Sequence, residues 1–173
     1  RGHGQFVAAF VATKLNLHHL AETIKLAFAL GARAFMLNRF NPGGRGRQHL
    51  DMLLPSAGEL HQALQVAEAA AVEYGLPIQC SIPIQPCLID TTEFPHLGFG
   101  FCAAGGNRAY YTLDPLGNLR PCNHSDLILG NLFEATFAEL IASEQMAAFT
   151  RAVPPSCLPC ERHATCQGGC KAT

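Results

Sequence analysis

Phe6-Val7-Ala8-Ala9-Phe10-Val11-Ala12 is an apolar run with no polar residue in it, as expected of a strand buried on both faces of a parallel sheet. Outward from this stretch the chain alternates. Asn16 stands where it can cap a helix from Leu17 to about Leu30, with Leu17, Leu20, Ile24 and Phe28 on one stripe and Gly31 as its stop. Ala34-Phe35-Met36-Leu37 is the next strand, and it runs into the glycine-rich Asn41-Pro42-Gly43-Gly44-Arg45-Gly46. Ser56 and Glu59 have capping-box spacing for a helix that reaches about Tyr74 and stops at Gly75. Leu76 to Ile84 supplies a third strand, interrupted by Pro77 and Pro83. This β-α-β-α-β rhythm predicts an α/β fold with a parallel sheet. Three strands cannot close a barrel of eight, so the segment is either a small open sheet or part of a larger barrel.

The texture changes after about residue 90. Ala109-Tyr110-Tyr111-Thr112-Leu113 is rich in strand formers. Asp114-Pro115-Leu116-Gly117 has the residues of a type I turn, and Asn118-Leu119-Arg120 returns as the second arm of a hairpin. Leu127 to Leu132 is a short apolar segment with a turn, and Thr136 with Glu139 forms another capping box, opening a helix that carries Phe137, Leu140 and Ile141. From Cys157 onward there is little apolar content, so something other than a core must hold the tail together.

Composition narrows the class. Of 173 residues, 49% are hydrophobic and 14% charged, the opposite of the balance that leaves a chain disordered. A net charge of -1 removes the basic footprint of a general nucleic-acid binder. No apolar run reaches the roughly 18 residues a transmembrane helix needs. Neither nucleic acid nor membrane is therefore expected as a partner. Arg1-Gly2-His3-Gly4 has neither a signal-peptide pattern nor an initiator Met, and reads as a chain met in mid-sequence.

Eight cysteines carry the chemistry, at positions 80, 87, 102, 122, 157, 160, 166 and 170. Thiols clustered beside an α/β half of cytoplasmic character point to metal rather than disulfides. The tail is Cys157-x2-Cys160-x5-Cys166-x3-Cys170, preceded by Cys102, Gly117 and Cys122. Thiolates are soft ligands for iron–sulfur clusters and for zinc, and a C-x2-C pair puts two sulfurs on one turn.

With these residues in place, the chain resembles the SPASM domain, the auxiliary-cluster domain at the C-terminus of many radical S-adenosylmethionine (SAM) enzymes. That pattern, C-x9–15-G-x4-C, gap, C-x2-C-x5-C-x3-C, gap, C, is matched by six cysteines and Gly117. Thr112 to Asn118, Leu129-Gly130-Asn131-Leu132 and Gly168-Gly169-Cys170 also fit it. The resemblance implies domains at 1–95, the later β/α units of a partial, TIM-like radical SAM barrel, and at 96–173, a small irregular α+β SPASM domain. It implies a first auxiliary cluster on Cys102, Cys122 and Cys170, with Cys87 a candidate fourth ligand, and a second on Cys157, Cys160 and Cys166. Both would be iron–sulfur clusters, of the 4Fe-4S kind. A seventh cysteine would lie beyond Thr173. The radical SAM signature C-x3-C-x2-C is absent; Thr173 stands where Cys166 and Cys170 would need their third partner.

The resemblance further implies an oxidoreductase-type maturase of a peptide or protein substrate. In that family reductive SAM cleavage yields a 5′-deoxyadenosyl radical, and a donor such as flavodoxin or ferredoxin supplies electrons. The parent would be cytoplasmic, and these residues alone inactive toward SAM. Asn16 and Arg39, at or after strand ends, are candidates for SAM or substrate contact; Asn16 reads equally as a helix cap and Arg39 as a solvated cation. Cys80 reads as a small buried hydrophobe, and Cys87 either so or as a ligand. His124, two residues after Cys122, reads as a loop histidine or a contact to cluster sulfide. His18 and His19 are expected to face different ways on the surface. The competing reading from another class is a zinc-stapled, non-catalytic interaction module.

Overall fold

The computed structural model describes residues 5–172; Arg1-Gly2-His3-Gly4 and Thr173, on which expectations about the chain's ends rested, lie outside them. The chain divides into two compact units, Arg1–Phe101 and Cys102–Thr173. The boundary falls later than 95 because Leu97–Phe99 joins the first unit's sheet.

In the first unit β1 (Val7–Ala12), β2 (Ala34–Arg39), β3 (Ile78–Cys80) and β4 (Leu97–Phe99) form a parallel sheet in the order β1-β2-β3-β4. The helices of this unit are α1 (Leu20–Ala29), the short α2 (Leu50–Leu53) and α3 (Ala57–Tyr74). Strand alternation separates the two faces of the sheet. Phe10, Ala12, Phe35, Leu37, Ile78, Cys80 and Leu97 are buried in one core with Leu20 and Ile24 of α1 and Leu64 and Ala67 of α3. Val7, Ala9 and Val11 of β1 and Gln79 of β3 are exposed on the other face. The unbroken apolar run therefore overstated the burial of β1: its small Ala and Val residues serve one packed face and one open one. The sheet is an open arc of four strands, and the described residues form no closed barrel.

Local chemistry accounts for the helix limits. Ser56 Oγ accepts from the Glu59 N–H (3.2 Å) while the Glu59 carboxylate accepts from the Ser56 N–H (2.8 Å), the reciprocal capping box that starts α3. Gly75, at φ 60, ends it. α1 differs from expectation. A 3-10 turn over Leu17–His19 precedes it, and Asn16 makes no side-chain cap. Its buried stripe is Leu20, Ile24 and Ala27, leaving Phe28 at the edge, stacked on Tyr74 at 5.0 Å between centroids. The third strand shrinks to Ile78–Cys80 because Pro77 and Pro83 have no N–H to donate to a ladder. β4 escaped the sequence reading. Leu97-Gly98-Phe99 has no alternation to announce it, and it becomes a strand only by pairing with β3. A Cβ on Gly98 would fall 2.2 Å from Gln79 Oε1, the far end of an exposed side chain that can swing aside.

In the second unit β5 (Thr112–Leu113), β6 (Asn118–Arg120) and β7 (Gly130–Asn131) make an antiparallel sheet in that order. Leu119, Leu129, Leu140 and Met146 are its buried core, with Tyr111, Leu132, Ala135 and Ile141 packed around them. The expected helix from Thr136 is α4 (Phe137–Ile141), started by a capping box. It gives way to a separate α5 (Glu144–Arg151), because the Ser143 side chain accepts from the Met146 N–H and restarts the chain. A short α6 (His163–Cys166) lies in the tail.

Candidate metal centre

The second unit gathers cysteines from three distant points of the chain, and the β5–β6 hairpin is what aims one of them. Asp114 Oδ1 accepts from the N–H groups of Leu116 (2.9 Å) and Asn118 (3.0 Å), while Asp114 Oδ2 accepts from Asn118 Nδ2 (3.0 Å). Those bonds, the Asn118 side chain's first among them, hold the Asp114 carboxyl below its usual range. Gly117 takes φ +87 to complete the turn, a conformation that costs glycine nothing. Asn131 Nδ2 donates across to Leu116 O (2.9 Å) and Asn118 Oδ1 (3.1 Å), fastening β7 to the turn. β6 then delivers buried Pro121 and half-buried Cys122.

Cys122 is prepared as an acceptor. The backbone N–H groups of His124 and Ser125 donate to its sulfur. Burial pushes the thiol above its ordinary value, those two N–H groups pull it back, and the neighbouring Cys170 and Cys102 push it up again. The last influence places Cys102 and Cys170 each within electrostatic reach of Cys122. Cys102 is half-buried at the head of the unit and Cys170 is buried near its end. Gln167, Gly168 and Gly169, at φ 51, 78 and 79, turn the chain immediately before Cys170. Gln167 is the one non-glycine residue with positive φ among those described.

The other trio is arranged along a short segment rather than around a point. The Cys160 N–H donates to Cys157 O (3.2 Å), the His163 N–H to Cys160 O (2.9 Å) and the Cys166 N–H to Arg162 O (2.9 Å), so the backbone coils through all three. Cys157 and Cys166 are half-buried and Cys160 is exposed. Among the described residues no three His, Cys, Asp or Glu side chains stand close enough together to hold a single metal ion. A cluster asks for a wider setting, since its thiolates each take a different iron. All eight cysteines are free thiols.

The remaining candidates lie in the first unit, apart from His124. Asn16 Oδ1 accepts from the Thr13 N–H (2.8 Å) and hydroxyl (3.0 Å), and its Nδ2 donates to Val11 O (2.9 Å), so both ends of the amide brace the end of β1. Arg39 is a brace too, not a solvated cation: Nε donates to Pro83 O (2.8 Å) and a guanidinium N–H to Asn41 Oδ1 (2.9 Å). Cys80 is buried in β3, where loss of water pushes its thiol up to about 12, as befits a small core hydrophobe. Cys87 is exposed, so it is not a core residue. His124 faces Cys122 through its backbone N–H. His18 and His19, expected to diverge, hold their rings 3.8 Å apart, because the 3-10 turn rotates neighbours less than a strand would. Two features of the second unit went unread in the sequence. One is the N–H pair on Cys122, which needed the turn after Pro121. The other is the phenol of Tyr110, pushed above its ordinary range by burial first and then by Cys122, Cys102 and Cys170; its signal was its place before a strand, next to the core residue Tyr111.

An all-thiol donor set, with Cys122 just after a tight hairpin and accepting two backbone N–H bonds, has the ligand chemistry of a thiolate metal centre and fits an iron–sulfur group. Residues 102–167 match the family model of SPASM, the iron–sulfur cluster-binding domain. The match opens on Cys102, the first residue of the second unit, and takes in Cys122, Cys157, Cys160 and Cys166. Over these residues the second unit is similar to the SPASM domain, and domains of that family bind iron–sulfur clusters. No curated protein matches the chain.

Proposed function

We propose that this chain is part of a cytoplasmic radical SAM enzyme that modifies a peptide or protein, with its second unit holding auxiliary iron–sulfur clusters. One observation carries the reading: residues 102–167 match SPASM, and within that unit Cys122, just after the β5–β6 hairpin, feels both Cys102 and Cys170. In this reading those three cysteines hold the first cluster, and Cys157, Cys160 and Cys166 hold the second. When bound, such clusters supply one-electron transfer at potentials set by their surroundings. The residues bind, orient and exclude water. The Asp114–Asn118–Asn131 network fixes the direction of Cys122, the His124 and Ser125 N–H groups stabilise its thiolate, and Cys170 is sheltered from solvent.

The first unit supports the remainder. Parallel strands in sequential order with α1 and α3 packed on one face are what an arc of a β/α barrel presents. Asn16 follows β1 and Arg39 closes β2, the strand ends where such barrels place contacts to SAM or substrate; their hydrogen bonds suit them to shape that edge. A flavodoxin or ferredoxin would supply electrons. With no C-x3-C-x2-C in these residues, the second unit's part is electron transfer or substrate support, not SAM cleavage.

Anaerobic reconstitution tests the reading. Iron and acid-labile sulfide bound together, with broad thiolate-to-iron absorption, are expected. Zinc without sulfide would replace the reading with the zinc-stapled interaction module. Incubation with SAM and a strong reductant should yield no 5′-deoxyadenosine above a protein-free control.

A further inference from the structure

Within residues 157–172, the tail of the second unit, Gly169 and Cys170 alone are buried. Apolar packing does little to hold this segment, so polar contacts must place it. Gln167, Gly168 and Gly169, all at positive φ, carry the chain from Cys166 to Cys170. The Gln167 N–H donates to His163 O (2.8 Å) and the Gly169 N–H to Cys166 O (3.0 Å). Gly168 lies against Pro154, where an added Cβ would fall 2.9 Å from Pro154 Cδ. A side chain then closes the turn. The Lys171 ammonium donates to Gln167 O (2.8 Å) and to Ala152 O (2.8 Å). Ala152 is the C-cap of α5, where a cation also meets the negative end of the helix dipole. Met146 of the same helix is buried in the core of the unit. One side chain thus ties the residue after Cys170 both to its own turn and to a core-bound helix.

Resting on the iron–sulfur reading of this unit, we propose that Lys171 is a positioning residue of the first cluster site: its ammonium clamps the turn between Cys166 and Cys170 onto the end of α5, and so holds Cys170 in place. In that reading the turn separates a ligand of the second cluster, Cys166, from a ligand of the first, Cys170. Gln167 carries a Cβ in the left-handed region at φ 51, a conformation that persists only where its surroundings hold it. The bond to Gln167 O supplies such a hold, and a charged donor makes a bond roughly twice as strong as a neutral one. Without the ammonium the turn is free to relax and carry Cys170 with it. The coil through Cys157, Cys160 and Cys166 keeps backbone bonds of its own, so the loss should fall on the first site.

The test uses the whole chain, anaerobically reconstituted, as wild type, Lys171→Met, Lys171→Arg and Cys170→Ser. Bound iron and sulfide, the paramagnetic signal after reduction and the rate of iron release to a chelator are measured, and the signal lost in Cys170→Ser marks the first site. Lys171→Met, of similar length but without a donor, should release first-site iron about tenfold faster or more and keep the remaining signal. Lys171→Arg, a cationic donor of similar reach, should restore retention. In the metal-free chain Lys171→Met should speed hydrogen exchange of amides in 163–171 and leave those in 112–120 as in the wild type. First-site iron held by Lys171→Met as firmly as by the wild type would overturn the inference and leave the cluster reading standing. Loss of both signals with faster exchange in 112–120 would also overturn it, by making Lys171 a prop of the whole unit, and so would a Lys171→Arg that behaves like Lys171→Met. A wild type that takes up no iron with sulfide would bring down the cluster reading itself, and this role of Lys171 with it, whatever the exchange shows.

Discussion

Replacing Gly117 by Ala should cost the second unit about 2–4 kcal/mol, in two separable parts. The first is backbone strain. Gly117 sits at φ +87, and a residue with a Cβ is held in the left-handed region at a cost of about 1–2 kcal/mol. The second is steric. An added Cβ would lie 2.7 Å from Phe133 Cδ2 and Cε2 and 2.9 Å from Asn131 Oδ1. Phe133 is 85% exposed and can swing away at little cost. Asn131 cannot: its Oδ1 accepts from the Phe133 N–H (2.9 Å), and its Nδ2 holds Leu116 O and Asn118 Oδ1. Each bond given up costs about 1 kcal/mol. Hydrogen exchange of amides in 112–120, read by mass spectrometry on the full chain, reports the local stability. Three variants separate the parts. Phe133→Ala alone should be near neutral, and Gly117→Ala/Phe133→Ala should remain within about 0.5 kcal/mol of Gly117→Ala, since distant or yielding groups add. Gly117→Asn should strain the backbone less than Ala, because Asn tolerates the left-handed region. The hairpin aims Cys122, so Gly117→Ala should also bind less iron on reconstitution. If Gly117→Ala lost less than about 0.5 kcal/mol, neither the positive φ nor the closeness of Asn131 could be right.

Three further outcomes are expected. Cys102→Ser, Cys122→Ser and Cys170→Ser should each remove the same fraction of bound iron and sulfide; Cys80→Ala should remove none, and unequal losses among the three would break up the trio. At pH 8 an alkylating reagent should modify exposed Cys87 and Cys160 readily and leave Cys80 untouched until denaturant is added, because its thiol is buried and pushed up to about 12; mass spectrometry decides, and equal labelling of Cys80 and Cys87 would contradict its burial. Glu59 is held below the ordinary carboxylate range by the Ser56 N–H and then the Ser56 hydroxyl. A carboxylate lowered on folding contributes stability above its unfolded pKa of about 4.3 and loses it as pH falls through the folded value, so acid should weaken α3; Ser56→Ala should cost about 1 kcal/mol near neutrality and flatten that acid slope in denaturant titrations.

Much of this protein is local chemistry, and the sequence alone determined that part. Ser56 with Glu59 and Thr136 with Glu139 start helices where their spacing says, because both halves of a capping box lie within one turn. Asp114-Pro115-Leu116-Gly117 makes its turn because the bonds that close it come from the turn itself. The cysteine spacing announced a thiolate domain, since ligand type is a property of the residue. What depended on distant partners was not legible. β4 exists only through its pairing with β3, and no pattern in Leu97-Gly98-Phe99 marks it. β1 has an open face that its apolar run concealed, because hydropathy records what a residue tolerates and not what covers it. Asn16 had the residue type of a helix cap, yet its amide reaches back to Val11 O and Thr13, a competition settled by where β1 ends. The influence of Cys102 and Cys170 on Cys122 was not legible either: the three are far apart along the chain, and only the tertiary structure brings Cys102 and Cys170 within reach of Cys122.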